Sequence, residues 1–270
     1  MKKKVDFNKQ IDDLINKITG ETILRHTCQL LIKDKNGLKP HGSGVFVKTN
    51  DLHLLLTAAH VTEGWTGENQ LYIRIGQTKN VSLVGDLRET NLDKDDQIDL
   101  AYVIIDDRIL PDLIKAYKFL PVSKIRDHKK LLDATNYCVM GYPEKSKEDI
   151  NGKSEPVAKA YYVYPSKQKV YDYYKFSPDL FYMFDMKGKG TNIKTGVKEK
   201  TGTHFYGISG CGLWIMIIHA DEEKVHSVDY RLIGIMTEFR KTKYLALIGI
   251  RIKLILNAIM NFEKIKLREV

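Results

Sequence analysis

Gly42-Ser43-Gly44-Val45-Phe46-Val47, followed ten residues after its last valine by Thr57-Ala58-Ala59-His60, decides how this chain is read. Val45-Phe46-Val47 and the run at 53–57 are too short for helices. Glycines and polar residues bound them, and β-branched and aromatic side chains fill the first, so both read as strands. Working outward, the same pattern recurs at 27–33, 71–75, 101–105 and 137–140, and again at 158–164, 180–185, 213–218 and 231–236. Asn36-Gly37 between two such runs is a hairpin signal. Many short strands without regularly interleaved helices predict an all-β barrel or sandwich.

The two ends follow a different period. Ile11, Leu14, Ile15 and Ile18 share one helical face, and Gly20 can end that helix. Ile252, Ile255, Ile259 and Phe262 line one face of a closing helix. Leu110-Pro111 and Leu120-Pro121 mark an irregular connection. The expected organisation is therefore a helix over 1–20, a β unit over 21–120, a second over 121–250 and a helix over 251–270.

Composition narrows the class. The 270 residues suit a sizeable core, and 43% hydrophobic with 29% charged is ordinary for a globular protein. The net charge of +9 could attract nucleic acid or an anionic surface, but no nucleic-acid-binding signature accompanies it, so a solvated lysine-rich surface is the preferred reading. Tyrosines between 161 and 182, interleaved with Lys167, Lys169 and Lys175, could stack single-stranded nucleic acid. Tyrosine is also a common strand residue, which is preferred here. No apolar run approaches the ~20 residues of a membrane span. Cys28, Cys138 and Cys211 are odd in number and scattered, which points to free thiols and a reducing, cytoplasmic setting. The histidines form no metal-ligand spacing, so neither a metal nor a cofactor is expected.

Three segments carry chemistry. His60 ends its strand-like run, Asp99 opens the run at 101–105, and Ser209 sits in the turn Gly207-Ile208-Ser209-Gly210-Cys211-Gly212. A serine hydroxyl is a weak nucleophile and needs an adjacent base. A histidine can take its proton and return it to a leaving group. A carboxylate on the far ring nitrogen fixes the tautomer and stabilises the imidazolium. Asp95 and Asp96 are alternative carboxylates. Cys211 is an alternative nucleophile, but it lies two residues beyond Ser209 and should not reach the same place.

Together these segments resemble the chymotrypsin-like, or trypsin-like, family of serine peptidases. The order His, Asp, Ser is that family's, and 39 residues separate His60 from Asp99. The resemblance implies two six-stranded antiparallel barrels, with His60 and Asp99 on the first and Ser209 on the second. It implies a serine endopeptidase that cleaves a protein or peptide substrate through an acyl-enzyme on Ser209, with an oxyanion hole from the N–H groups of Gly207 and Ser209. Thr237 falls where a serine often bonds the triad aspartate. Thr203 falls at the floor of the primary pocket with His204 beside it, and Glu238 and Phe239 fall on its wall. These residues predict a small or uncharged residue before the cut.

The chain departs from the family's pattern in several places. Ile208 stands where an acid usually pairs with a newly cut N-terminus, Cys211 and Gly212 replace a glycine and a proline, and Val61 follows His60 where a disulfide cysteine is common. Activation by N-terminal cleavage is therefore not expected, although an activating protein partner is compatible. The stretch 187–200 could gate the site or be a solvated hairpin. The rival readings are a catalytically silent barrel that binds a peptide or protein, and a nucleic-acid-binding module.

Overall fold

The computed structural model describes residues 7–35, 37–63, 65, 70–76, 79–90, 98–128, 131, 136–144, 147–150, 153–185, 189–192, 198–200, 205–221 and 224–265. After helix α1 (Phe7–Glu21), eight strands form the first sheet: β1 (Thr27–Asp34), β2 (Gly37–Lys48), β3 (His53–Thr57), β4 (Gln70–Ile75), β5 (Lys79–Ser82), β6 (Gly85–Glu89), β7 (Ala101–Ile105) and β8 (Leu120–Pro121). The one-turn helix α2 (Ala59–Thr62) follows β3, and α3 (Leu110–Ala116) follows β7. The hydrogen-bonded path runs β5-β4-β1-β2-β3-β7-β6, with β8 beside β2, and curls as a half-barrel. β1 and β2 pair down to Asp34 opposite Gly37; the other hairpin-signal residue, Asn36, lies outside the described residues.

The second sheet takes β9 (Asn136–Gly141), β12 (Lys159–Pro165), β13 (Phe181–Asp185), β14 (Lys189–Asn192), β15 (Lys198–Lys200), β16 (Gly212–Ala220), β17 (Val225–Lys241) and β18 (Leu245–Arg251); β10 (Lys147–Ile150) and β11 (Lys153–Pro156) make a separate hairpin. The path β13-β18-β17-β16-β9-β12 returns to β13 and closes a six-strand ring. β14 and β15, from the 187–200 stretch, extend this sheet as a hairpin beside β12. The expected all-β, chymotrypsin-like architecture with terminal helices is the one found, but only the second sheet closes as a six-strand ring; the first, expected as a six-stranded barrel, is an eight-stranded half-barrel.

The apolar runs read as strands because they are buried on both faces. Along β2, Val45 and Val47 face the shared interior between the sheets, while Phe46 faces the first barrel's own core. Leu54 and Leu56 alternate with Leu55 in the same way on β3. On β16, Trp214 and Met216 point to the shared layer and Leu213 and Ile215 into the second barrel. A side-chain period of two with both sides apolar produces a continuous hydrophobic run.

Helix α1 buries Ile15 against the shared layer, and Asn16 accepts a 2.8 Å hydrogen bond from Tyr162. Helix α5 (Ile252–Glu263) buries Ile252, Ile255 and Ile259. Its last residue, Glu263, reaches the first sheet, accepting from Tyr102 at 2.8 Å and pairing with Arg88 at 3.3 Å.

Two local expectations fail. The connection at Leu110-Pro111 is not irregular but begins α3, with proline in the first turn, where its missing N–H costs nothing. The tyrosine-rich stretch is not strand throughout: α4 (Gln168–Tyr174) interrupts it, burying Val170 and Tyr171 and exposing Tyr173.

Candidate active site

His60 enters the site because the chain turns at the end of β3. Ala58 is extended, and α2 then carries the ring back over the sheet edge. Asp99 precedes β7, which pairs with β3 through Thr57 opposite Ala101, so both residues leave the same edge. The carboxylate holds His60 twice. Oδ1 accepts the His60 backbone N–H at 2.9 Å, and Oδ2 lies 2.5 Å from Nδ1. With Nδ1–H donating to Asp99, Nε2 is left as the free base.

The electrostatics of this pair follow from competing effects. Burial, the largest single influence, disfavours the charged imidazole. The hydrogen bond to Asp99 and its charge, with help from Glu63 and Glu238, together outweigh it and raise the His60 pKa above 6.5.

Ser209 follows from a different piece of local geometry. Gly207 has φ +91° and Gly210 φ +83°, the left-handed region where a side chain is strained. At Gly210 there is also no room: a Cβ would stand 2.0 Å from Thr57 Oγ1 and 2.2 Å from the Ser43 carbonyl. The turn is stitched to both sheets. Gly210 N–H donates to Met236 O at 2.7 Å, and Ser43 N–H donates to Ser209 O at 2.8 Å. Ser43 Oγ donates to Gly207 O at 2.7 Å and accepts from Tyr142 N–H at 3.0 Å, while Thr57 Oγ1 donates to Ser43 O at 2.9 Å.

His60, Asp99, Gly207, Ser209, Thr237, Glu238 and Phe239 line one cleft of about 600 Å³. Six residues that sequence reading did not single out for the cleft line it too: His41, Glu144, Phe176, Phe205, Tyr206 and Lys241. Ser43, which bonds the Gly207–Ser209 turn from behind, was also missed in that role. Only its Gly42-Ser43-Gly44 setting hinted at a close backbone approach. Burial, with the nearby His60 adding to it, lowers the pKa of His41.

The hydroxyl of Ser209 donates to the carbonyl of Thr237 at 3.3 Å, and among the described residues it makes no hydrogen bond to His60. Among the described residues, the N–H groups of Gly207 and Ser209 meet no protein acceptor. The Thr237 hydroxyl donates to Ile248 O at 3.4 Å, and so does not hold Asp99. Glu238 pairs with Arg240 at 2.5 Å. Phe239 packs edge to face on Phe205, centroids 4.5 Å apart, tying the wall strand to the chain before the nucleophile. Thr203, His204, Asp95 and Asp96 lie outside the described residues. Cys211, Cys28 and Cys138 are free, buried thiols, each pushed up in pKa by that burial. A buried Cys211 with a raised pKa is poorly suited to act as a nucleophile. Among the described residues no three His, Cys, Asp or Glu side chains group to hold a metal, and no helix is long and apolar enough to cross a membrane.

No protein-family model and no curated protein sequence matches the chain. Solved structures do. The atomic-resolution structure of HBP aligns over 92% of this chain and 94% of its own, with TM-score 0.53 at 12% identity. The protease Anisep from Arthrobacter nicotinovorans aligns over 86% and 92% (TM-score 0.49, 12% identity). The thermostable serine protease AL20 from an extremophilic microorganism aligns over 84% and 91% (TM-score 0.47, 11% identity). With a strand ring, a half-barrel and a cleft whose lining draws on both sheets, the chain has a chymotrypsin-like fold.

Proposed function

We propose that the protein is a serine endopeptidase with His60, Asp99 and Ser209 as its triad. The observation that carries this reading is the doubly bonded His60–Asp99 pair, which leaves Nε2 free in the cleft that Ser209 also lines. Ser209 Oγ turns from Thr237 O toward Nε2, gives its proton to His60 and attacks the substrate carbonyl. The oxyanion is held by the N–H groups of Gly207 and Ser209. His60 then protonates the leaving amine, and water, deprotonated by the same base, releases the acyl group from Ser209. Phe239 and Glu238 on the wall favour a small or uncharged residue before the cut, since Arg240 is already paired with Glu238. Three buried free thiols suit a cytoplasmic setting, and a regulated effector with an activating partner is consistent with it.

A peptide library incubated with the protein and read by mass spectrometry tests this. Cleavage is expected for the wild type and none for Ser209→Ala. Equal cleavage by both proteins overturns the assignment.

One observation favours a second reading, a silent barrel that binds peptide without cutting: Ser209 donates to Thr237 and not to His60. Such a protein binds library peptides and releases them intact.

A further inference from the structure

Beside the cleft, α4 and the turn joining β17 to β18 gather tyrosines and lysines on one surface. The rings of Tyr173 and Tyr244 meet edge to face with centroids 5.4 Å apart, and Tyr173 meets Tyr174 likewise at 4.9 Å. Lys243 Nζ lies 5.3 Å from the Tyr173 ring centroid and 5.6 Å from that of Tyr244, and Lys169 Nζ lies 5.7 Å from the latter. The Tyr174 hydroxyl donates to the Tyr244 carbonyl at 2.7 Å, pinning helix to hairpin. Tyr173 is 45% exposed, and Lys169 and Lys243 are exposed. Lys167 and Lys175 flank α4. Lys241 and Phe176 continue the surface into the cleft lining.

Among the described residues none of these five lysines forms an ion pair. The one carboxylate on α4, Asp172, accepts from Gln168, and Glu238 at the cleft is held by Arg240. A scatter of solvated lysines needs no partner. Here the ammonium groups of Lys169 and Lys243 rest on aromatic rings, which restricts their positions and lowers the ordering cost of binding an anion.

We propose that this surface docks an acidic segment of the polypeptide that the cleft cuts, on the N-terminal side of the cut bond. The proposal rests on the peptidase reading. Thr237, whose carbonyl meets Ser209, and Lys241 are four residues apart on β17, about 13 Å at strand rise. A substrate chain running antiparallel to that strand crosses the lysines before it reaches Ser209. Nucleic acid is the competing occupant. Base stacking needs open aromatic platforms, and these ring faces already carry ammonium groups and the edges of other rings.

Fluorescence anisotropy of the full chain carrying Ser209→Ala tests binding with three labelled probes: a glutamate-rich peptide, its glutamine counterpart and an oligouridylate of equal length. The glutamate peptide is expected to bind about tenfold more tightly than the glutamine peptide, as a few screened charge pairs allow. The preference should vanish in high salt and in Lys169→Gln/Lys243→Gln. Equal binding of both peptides, or a preference for the oligouridylate, overturns the proposal; the salt comparison needs no variant. Wild-type protein then separates the two levels. Fusing the glutamate segment before a cleavable sequence should lower KM with kcat unchanged, and fusing it after should leave both unchanged. A glutamate peptide that binds a protein unable to cut any peptide leaves the surface standing and removes the peptidase reading alone.

Discussion

The two halves of the cleft are built to different tolerances. In the first sheet His60 and Asp99 are joined twice, at 2.9 and 2.5 Å, and both leave neighbouring strands at the same end. In the second, Ser209 sits in a turn held by backbone bonds to both sheets, and its hydroxyl donates to the Thr237 carbonyl. The His60–Asp99 pair is thus the product of one strand-pair register, that of β3 on β7. The position of Ser209 depends on how the two sheets meet, and Ser43 is one of the contacts through which they do. Moving Ser43 would shift the whole turn, because its N–H bonds the Ser209 carbonyl and its hydroxyl the Gly207 carbonyl.

Breaking the tighter half should have the larger consequence. Asp99→Asn should lower kcat by about 10⁴-fold, because the amide can no longer hold the productive tautomer. The same variant removes the hydrogen bond and charge of Asp99 that raise the His60 pKa, leaving burial, the largest influence, opposed only by the charges of Glu63 and Glu238. An imidazole NMR titration should show the pKa above 6.5 in the wild type and below it in the variant. Unchanged titration would mean that Asp99 does not govern His60. The sign carries over to activity. His60 must be neutral to act as base, so turnover rises with pH through the raised pKa. An acid limb centred below 6.5 in the wild type would contradict the pairing.

The second half should respond to Ser43→Ala. That change leaves the Gly207 carbonyl and the Tyr142 N–H without their buried partner, at a cost of about 1–3 kcal/mol in stability. Turnover should fall by about tenfold to a hundredfold as the turn loosens, with the His60 titration unmoved. Thermal unfolding and kcat measured together check this. A variant that loses stability and keeps wild-type kcat would show that Ser43 supports the fold and not the nucleophile.

The smallest effect is expected at the wall. Phe239→Ala removes the edge-to-face pair with Phe205, worth about 0.5–1.5 kcal/mol beyond buried area. Cleavage should extend to larger residues before the cut with little change in overall rate. A switch to cleavage after lysine or arginine would instead indicate that Glu238 supplies charge to the pocket.

Much of the architecture was legible because strands buried on both faces write themselves as apolar runs. Val45-Phe46-Val47 and Leu213-Trp214-Ile215 each serve two cores at once. His60, Asp99 and Ser209 stood out because each sits at the end of such a run. What stayed hidden arises from tertiary juxtaposition. Ser43 is one small residue between glycines until the second sheet places Gly207 and Tyr142 against it. Glu144 enters the cleft because its N–H is tied to the carbonyl of Tyr206 at 2.7 Å. Helix α4 was missed because its seven residues are rich in tyrosine and too short to display a period.

The central claim is that the base held by Asp99 activates Ser209, and covalent labelling with a fluorophosphonate tests it most directly. Intact and peptide mass spectrometry should find one adduct per chain, on Ser209. Labelling should be absent in Ser209→Ala and much slower in Asp99→Asn. An unlabelled wild type, or an adduct on any other residue, would contradict the account.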